Sequence, residues 1–240
     1  MVKVFITFAT KGKFHILGQR LITEIENLEL FDKTILYTED DLKSDIEFWN
    51  KHGEFIENNS RGYGYWLWKS YIIKKTLDGL TNGDILLYFD SSFEVYTHTK
   101  PKFIELFENV KKTTIIGSYC QILCPEYKWN KMDLVKFLEM NDNKYLQTKQ
   151  RQAGAIMLYK NSKSIALIND WYLLSSHYHY INDDDSVEPN IPGFTEHRHD
   201  QSIFSLLTKK YNTYSDLDMF KHISIIKNKN ERSVFHHLNK

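Results

Sequence analysis

The sequence predicts an α/β fold, with a mostly parallel central sheet flanked by helices and a mixed second half. Three observations predict it. Through about residue 118, β-rich segments alternate with segments whose apolar residues recur at helical spacing. The run Ile85-Leu86-Leu87-Tyr88-Phe89 is apolar without interruption, as in a strand buried on both faces of a parallel sheet. Turn signals at Thr10-Lys11-Gly12 and Asn82-Gly83 punctuate the alternation.

In chain order, Val2–Ala9 is a first strand, and Phe14–Leu28 carries helical apolar spacing. Thr34–Tyr37 is a short strand, and Asp40–His52 is a helix with Ile46 and Trp49 on one side. Trp66–Leu80 is a third helix that stops near Gly79. Asp84–Phe89 is the buried strand, Pro101–Val110 a helix and Thr113–Ser118 a strand. This rhythm favours right-handed crossovers and ligands at the carboxyl ends of the strands. Later, Met132–Met140, Ser162–Ser175 and Gln201–Tyr211 read as helices, and Ala153–Tyr159 and His222–Ile226 as strands. The polar stretch Asn182–Pro192 reads as a mobile loop. No repeat or long linker divides the chain, so residues 1–240 are expected to form one domain with two halves that meet near residue 118.

Composition bounds the function. Lys plus Arg and Asp plus Glu both number 31, so the formal charge is zero. That argues against the extended basic face that nucleic acid needs, while leaving room for a local cationic pocket. Aromatic residues reach 15% of the chain. Flat rings pack against the C–H faces of sugars, although most large rings fill cores. Cys120 and Cys124 have no Cys or His partners at zinc-finger spacing and read as free thiols in a reducing compartment. No apolar run reaches the length of a signal or membrane segment, so the expectation is a cytoplasmic chain without a membrane span.

Four segments carry candidate chemistry. The buried strand ends at Asp90-Ser91-Ser92, which presents a carboxylate at the sheet's carboxyl edge; alternatively, Asp90 caps the following turn. Arg61-Gly62-Tyr63-Gly64-Tyr65-Trp66-Leu67-Trp68-Lys69 feeds a helix start, where anions bind readily. Trp66 and Trp68 read first as anchors of that helix to the sheet, and Lys69 fits either role. Gln152-Ala153-Gly154 opens a strand with small residues, allowing close ligand approach or tight packing. His197-Arg198-His199-Asp200-Gln201-Ser202 opens a helix, with Asp200 or Ser202 as a candidate N-cap. A cap alone does not explain so many polar side chains in six residues, and a polyhydroxylated ligand or a metal does. Asp183–Asp185, His177, His179, His236 and His237 read as surface residues.

Taken in this order, the segments resemble glycosyltransferases of the GT-A type, the Rossmann-like nucleotide-diphospho-sugar transferase fold, and in particular a group of bacterial and viral sugar transferases. The resemblance covers Val2 to about Tyr211. It implies that about residues 1–118 bind a nucleotide-sugar donor and about 119–240 face the acceptor, a glycan or a lipid- or protein-linked hydroxyl. It implies donor contacts from Thr7, Phe8 and Ala9, from Arg61, Tyr65 and Lys69, from Asp90, Ser91 and Ser92, from Gln152, Ala153 and Gly154, and from His199 and Gln201. Asp200 is the candidate catalytic residue: a base toward the acceptor if the enzyme inverts, an orienting group if it retains. In the D-x-D motif of the family, a divalent cation (Mn2+ or Mg2+) bridges to the donor diphosphate. Here Ser92 replaces the second Asp. Either Asp90 holds the metal with His197 or His199, or cationic side chains replace it. Two rivals stand beside this reading: a metal-dependent hydrolase using His177, His179, His197, His199 and Asp200, and a degenerate transferase fold that only binds carbohydrate.

Overall fold

The computed structural model describes residues 1–120, 124–223 and 226–227. The elements run β1 (Lys3–Phe8), α1 (Lys13–Glu26), β2 (Lys33–Tyr37), α2 (Glu39–Ser44), α3 (Ile46–Asn58), the single turn α4 (Gly62–Tyr65), α5 (Leu67–Asp78) and β3 (Ile85–Phe89). They continue with β4 (Phe93–Glu94), α6 (Lys100–Thr113), β5 (Ile115–Tyr119), α7 (Glu126–Trp129), α8 (Met132–Phe137) and α9 (Asn143–Leu146). The last are β6 (Arg151–Tyr159), α10 (Ser162–Ser175), α11 (His199–Lys210), β7 (Tyr214–Asp218), α12 (Met219–Ile223) and β8 (Ile226–Lys227).

Six strands form the main sheet in the order β2-β1-β3-β6-β5-β7. β1 is parallel to β2 and to β3, and β5 is parallel to β7. β6 runs antiparallel to both of its neighbours, β3 and β5, so the second half is mixed as expected. Strand alternation sorts the apolar side chains to two faces. Ile6, Leu86, Tyr88 and Ile156 pack with residues of α5, α10 and α11, while Phe5, Leu87, Phe89 and Met157 pack with residues of α1, α6 and α12. β3 is buried along its whole length, which explains its uninterrupted apolar sequence.

Several boundaries differ from the sequence reading. The helix expected over Asp40–His52 is two helices, broken at Asp45, whose carboxylate accepts the Phe48 N–H at 3.1 Å and starts α3. The third helix begins at Leu67 because Trp66 is left-handed. The acidic stretch expected to be mobile is pinned: Asp133 accepts the Ser186 hydroxyl and the Val187 and Glu188 N–H groups. β7 was not anticipated, since Tyr-Ser-Asp-Leu-Asp has no apolar stripe and sits at the sheet's edge. His222 belongs to α12 rather than to a strand; residues 224–225, like His236 and His237, lie outside the described residues.

Candidate active site

The apolar run of β3 stays in the core to Phe89, and Asp90 emerges at its carboxyl end with a side chain 30% exposed. Thr7 is wholly buried, and its hydroxyl donates to the Phe89 carbonyl at 2.8 Å, fastening β1 to this end of β3. Tyr88 donates its hydroxyl to Asp90 Oδ1 at 2.7 Å. Across the sheet, Asp90 N–H donates to the Gly154 carbonyl at 2.8 Å. A Cβ at position 154 would lie 2.7 Å from Asp90 Oδ2, so glycine is what lets this carboxylate lie over β6.

Two helices bring further charges to the same point. Lys69, on the first turns of α5, is buried, and its Nζ lies 2.9 Å from Asp200 Oδ2 and 3.3 Å from Asp90 Oδ1. Burial alone would neutralise such an amine, but Asp200 and Asp90 offset it, and its pKa rises above the ordinary lysine value. Asp200 is buried too, and burial pushes its carboxyl up to about 6 against the opposing pull of Lys69. The backbone aims it: His199 is left-handed at φ 52°, and the Asp200 carbonyl accepts Trp171 Nε1–H at 3.0 Å. Neither expected N-cap is one. Arg198 holds that position, and Asp200 and Ser202 lie inside the first turn of α11, where the Ser202 hydroxyl accepts the Arg198 N–H.

The Gly-aromatic segment is a left-handed turn. Gly62, Tyr63, Gly64, Tyr65 and Trp66 have φ of 60°, 54°, 82°, 53° and 61°. Tyr65 N–H donates to the Arg61 carbonyl at 2.8 Å and Trp66 N–H to the Gly62 carbonyl at 3.1 Å. Each non-glycine residue in this region costs on the order of 1–2 kcal/mol, so the surrounding packing must impose the turn. Part of that packing is the contact at Gly64, where a Cβ would lie 2.7 Å from Ile56 Cγ1.

This turn walls two adjoining clefts. An aromatic cleft of about 480 Å³ is lined by Phe8, Ala9, Thr10, Tyr63, Trp66, Trp68, Tyr88 and Asp90-Ser91-Ser92, among others. Phe8 and Trp68 stack within it at 3.8 Å between ring centres. A polar cleft of about 360 Å³ is lined by Arg61, Trp66, Lys69, Asp90, Cys120, Gln152-Ala153-Gly154 and His197 through Gln201. Asp90 and Trp66 line both. Their sizes suit small-molecule ligands.

Most residues singled out from the sequence therefore converge on these clefts. Thr7 and Tyr65 do not line them: Thr7 belongs to the sheet, and Tyr65 packs against His199 at 5.0 Å between rings. Arg61 lines the polar cleft but pairs with Asp183 at 2.9 Å and Glu196 at 3.3 Å, drawing in the acidic segment read as solvated surface. His179 bonds Asp133 at 2.7 Å. Sequence reasoning passed over Arg198, although it stands inside the motif that drew attention. Its guanidinium lies on the Trp129 ring at 3.7 Å, a partner that sequence spacing does not reveal.

The donor set does not fit a divalent cation. The Lys69 ammonium already stands against both carboxylates that would bind one. His197 accepts the Lys131 N–H at Nδ1 and donates Nε2–H to the Tyr180 carbonyl, so no lone pair is left for a metal. Burial holds that ring neutral, with its pKa pushed down to about 3. His199 donates Nδ1–H to the Ile181 carbonyl, and its Nε2 faces Asp183 Oδ1 at 3.6 Å. Among the described residues, no three His, Cys, Asp or Glu side chains are grouped to hold a metal. Burial and the neighbouring Cys124 push the Cys120 thiol up to about 12, which favours its protonated form.

Among solved structures, the chain is similar to mouse xyloside xylosyltransferase 1 in its apo form, with 12% identity over 90% of this chain and 86% of that one and a TM-score of 0.43. It is also similar to a glycosyltransferase involved in the glycosylation of the major capsid of PBCV-1, with 12% identity over 93% and 98% of the two chains and a TM-score of 0.40. Both neighbours are glycosyltransferases. No family model and no curated protein matches the sequence. No helix among the described residues is long and apolar enough to cross a membrane.

Proposed function

We propose that the chain is a glycosyltransferase of the GT-A class, moving a sugar from a nucleoside-diphosphate donor to a hydroxyl of a glycan or other acceptor. The observation that carries this reading is the Asp90–Lys69–Asp200 cluster at the junction of an aromatic and a polar cleft. A nucleotide sugar has two such ends: a flat base that stacks on rings, and a polar sugar diphosphate. The aromatic cleft takes the base between Phe8, Tyr63 and Trp66, and Asp90 stands where the two ends join. Aromatic stacking and hydrogen bonds to sugar hydroxyls then hold the anomeric carbon beside Asp200.

In the transfer step the acceptor oxygen forms a bond to the anomeric carbon as the bond from that carbon to the diphosphate oxygen breaks. The breaking bond's electron pair leaves with the nucleoside diphosphate. Asp200 takes the acceptor's proton, and a carboxyl with pKa about 6 is a better acceptor than an ordinary aspartate while remaining mostly ionised at neutral pH. Lys69 stays protonated, holding Asp200 in place and keeping the two carboxylates from repelling each other.

A thermal-shift screen with UDP-, GDP-, TDP- and CMP-linked sugars tests the assignment, because a ligand bound only by the native state raises the melting temperature. Stabilisation by a UDP-, GDP- or TDP-linked sugar, lost in Asp90→Asn, is expected, and a shift with the CMP-linked sugar alone would contradict a diphosphate donor. No shift with any of them would overturn the reading.

A further inference from the structure

We propose that the donor's diphosphate is received by the guanidinium of Arg198, with no divalent cation, an inference that rests on the transferase reading. A departing nucleoside diphosphate needs positive charge, and the structure shows where it is available. The polar cleft holds three permanent cations, Arg61, Lys69 and Arg198. Arg61 is engaged by Asp183 and Glu196, and Lys69 by Asp90 and Asp200. Arg198 makes no ion pair with a carboxylate among the described residues. Its Nη1 instead meets two weak acceptors, Cys120 Sγ at 3.4 Å and Cys124 Sγ at 3.8 Å.

That arrangement leaves a fixed, uncompensated fork. Stacking on Trp129 at 3.7 Å holds the guanidinium plane without consuming its in-plane N–H donors. Sulfur accepts hydrogen bonds weakly, so phosphate oxygens displace little when they arrive. A planar fork matches two phosphate oxygens at once, the geometry in which arginine is strongest. The site's other half explains why a metal is dispensable. At the junction where the D-x-D motif of the resembling family holds a dication, Lys69 already supplies a buried positive charge between Asp90 and Asp200. Ser92, at the place of the missing second carboxylate, lines the aromatic cleft.

Calorimetric titration of the full chain with UDP, GDP and TDP, first in EDTA and then with Mn2+, tests the proposal. At least one of them should bind in EDTA, with Mn2+ changing its affinity by less than about threefold. Arg198→Gln should weaken that diphosphate by about tenfold or more and leave the matching nucleoside's affinity unchanged, as expected for the loss of a charge-assisted pair. Arg198→Lys, which keeps the charge but not the planar fork, should restore part of it. A wild-type signal that appears only with Mn2+ would overturn this inference while leaving the transferase reading intact. Equal diphosphate affinity in Arg198→Gln and wild type would overturn it too. If no diphosphate binds with or without Mn2+, the transferase reading fails and the inference with it.

Discussion

Replacing Lys69 by methionine removes the charge at the centre of the cluster while nearly preserving its volume. At an effective dielectric of about 20, the ammonium attracts Asp200 at 2.9 Å and Asp90 at 3.3 Å by about 6 and about 5 kcal/mol before desolvation is counted. Breaking a buried pair by deleting one partner costs about 3–5 kcal/mol net, because the remaining charge is left uncompensated. For a chain of this size that corresponds to a melting temperature lower by about 6–20 °C. The loss depends on pH with a definite sign. The Asp200 carboxyl is already raised to about 6, and losing Lys69 raises it further. A carboxyl whose folded pKa exceeds its unfolded value loses stability as pH rises between the two. The deficit of Lys69→Met should therefore be full near about pH 8 and shrink toward about pH 5, where Asp200 takes up a proton. Thermal and urea denaturation of both proteins at the two pH values measures it. An equal deficit at both, or one below about 1 kcal/mol near pH 8, would refute the claim that Lys69 compensates buried carboxylates.

Four further outcomes follow from the same geometry. Donor turnover should fall about tenfold per pH unit below about pH 6, since Asp200 must be ionised to act as a base; full turnover at about pH 5 would show that it is not the base. Asp200→Asn should lower turnover by about 10²–10⁴-fold while the protein stays folded, as a rate assay beside circular dichroism would show. Gly154→Ala places a Cβ 2.7 Å from Asp90 Oδ2, so the carboxylate must swing away; turnover should drop by about tenfold or more with a stability change of less than about 1 kcal/mol, and unchanged turnover would remove Asp90 from the reaction. Gly64→Ala introduces a side chain at φ 82° and 2.7 Å from Ile56 Cγ1, and chemical denaturation should show a loss of about 1–3 kcal/mol.

The fold was legible where periodicity carries the information. β3 announced itself because both of its faces are buried, and α10 because its apolar residues repeat at helical spacing. β7 and the break at Asp45 were not legible, since an edge strand has no apolar stripe and the break depends on a single capping carboxylate. Within the candidate site, the sequence motifs supplied Asp90, Gly154 and Asp200 but not what joins them. Lys69 fits helix packing as well as anion binding, and only the approach of α5 and α11 over the sheet edge makes it the counter-ion of two carboxylates. The two His of the last motif looked like metal ligands because their types and spacing allow it. Three of their four ring nitrogens instead bond backbone groups at Lys131, Tyr180 and Ile181, contacts between distant segments that spacing cannot show, and the fourth, His199 Nε2, faces Asp183. The left-handed turn at Gly62–Trp66 was hinted at by its two glycines, yet three of its five residues are aromatic and locally disfavour it.

Glycosyl transfer itself is seen in the products formed from a stabilising nucleotide sugar in the presence of candidate acceptors. Free nucleoside diphosphate together with a new glycosidic bond on the acceptor is expected, both lost in Asp90→Asn and Asp200→Asn. Nucleoside monophosphate and sugar phosphate, the products of hydrolysis at the phosphoanhydride, would contradict glycosyl transfer and return the site to the hydrolase reading.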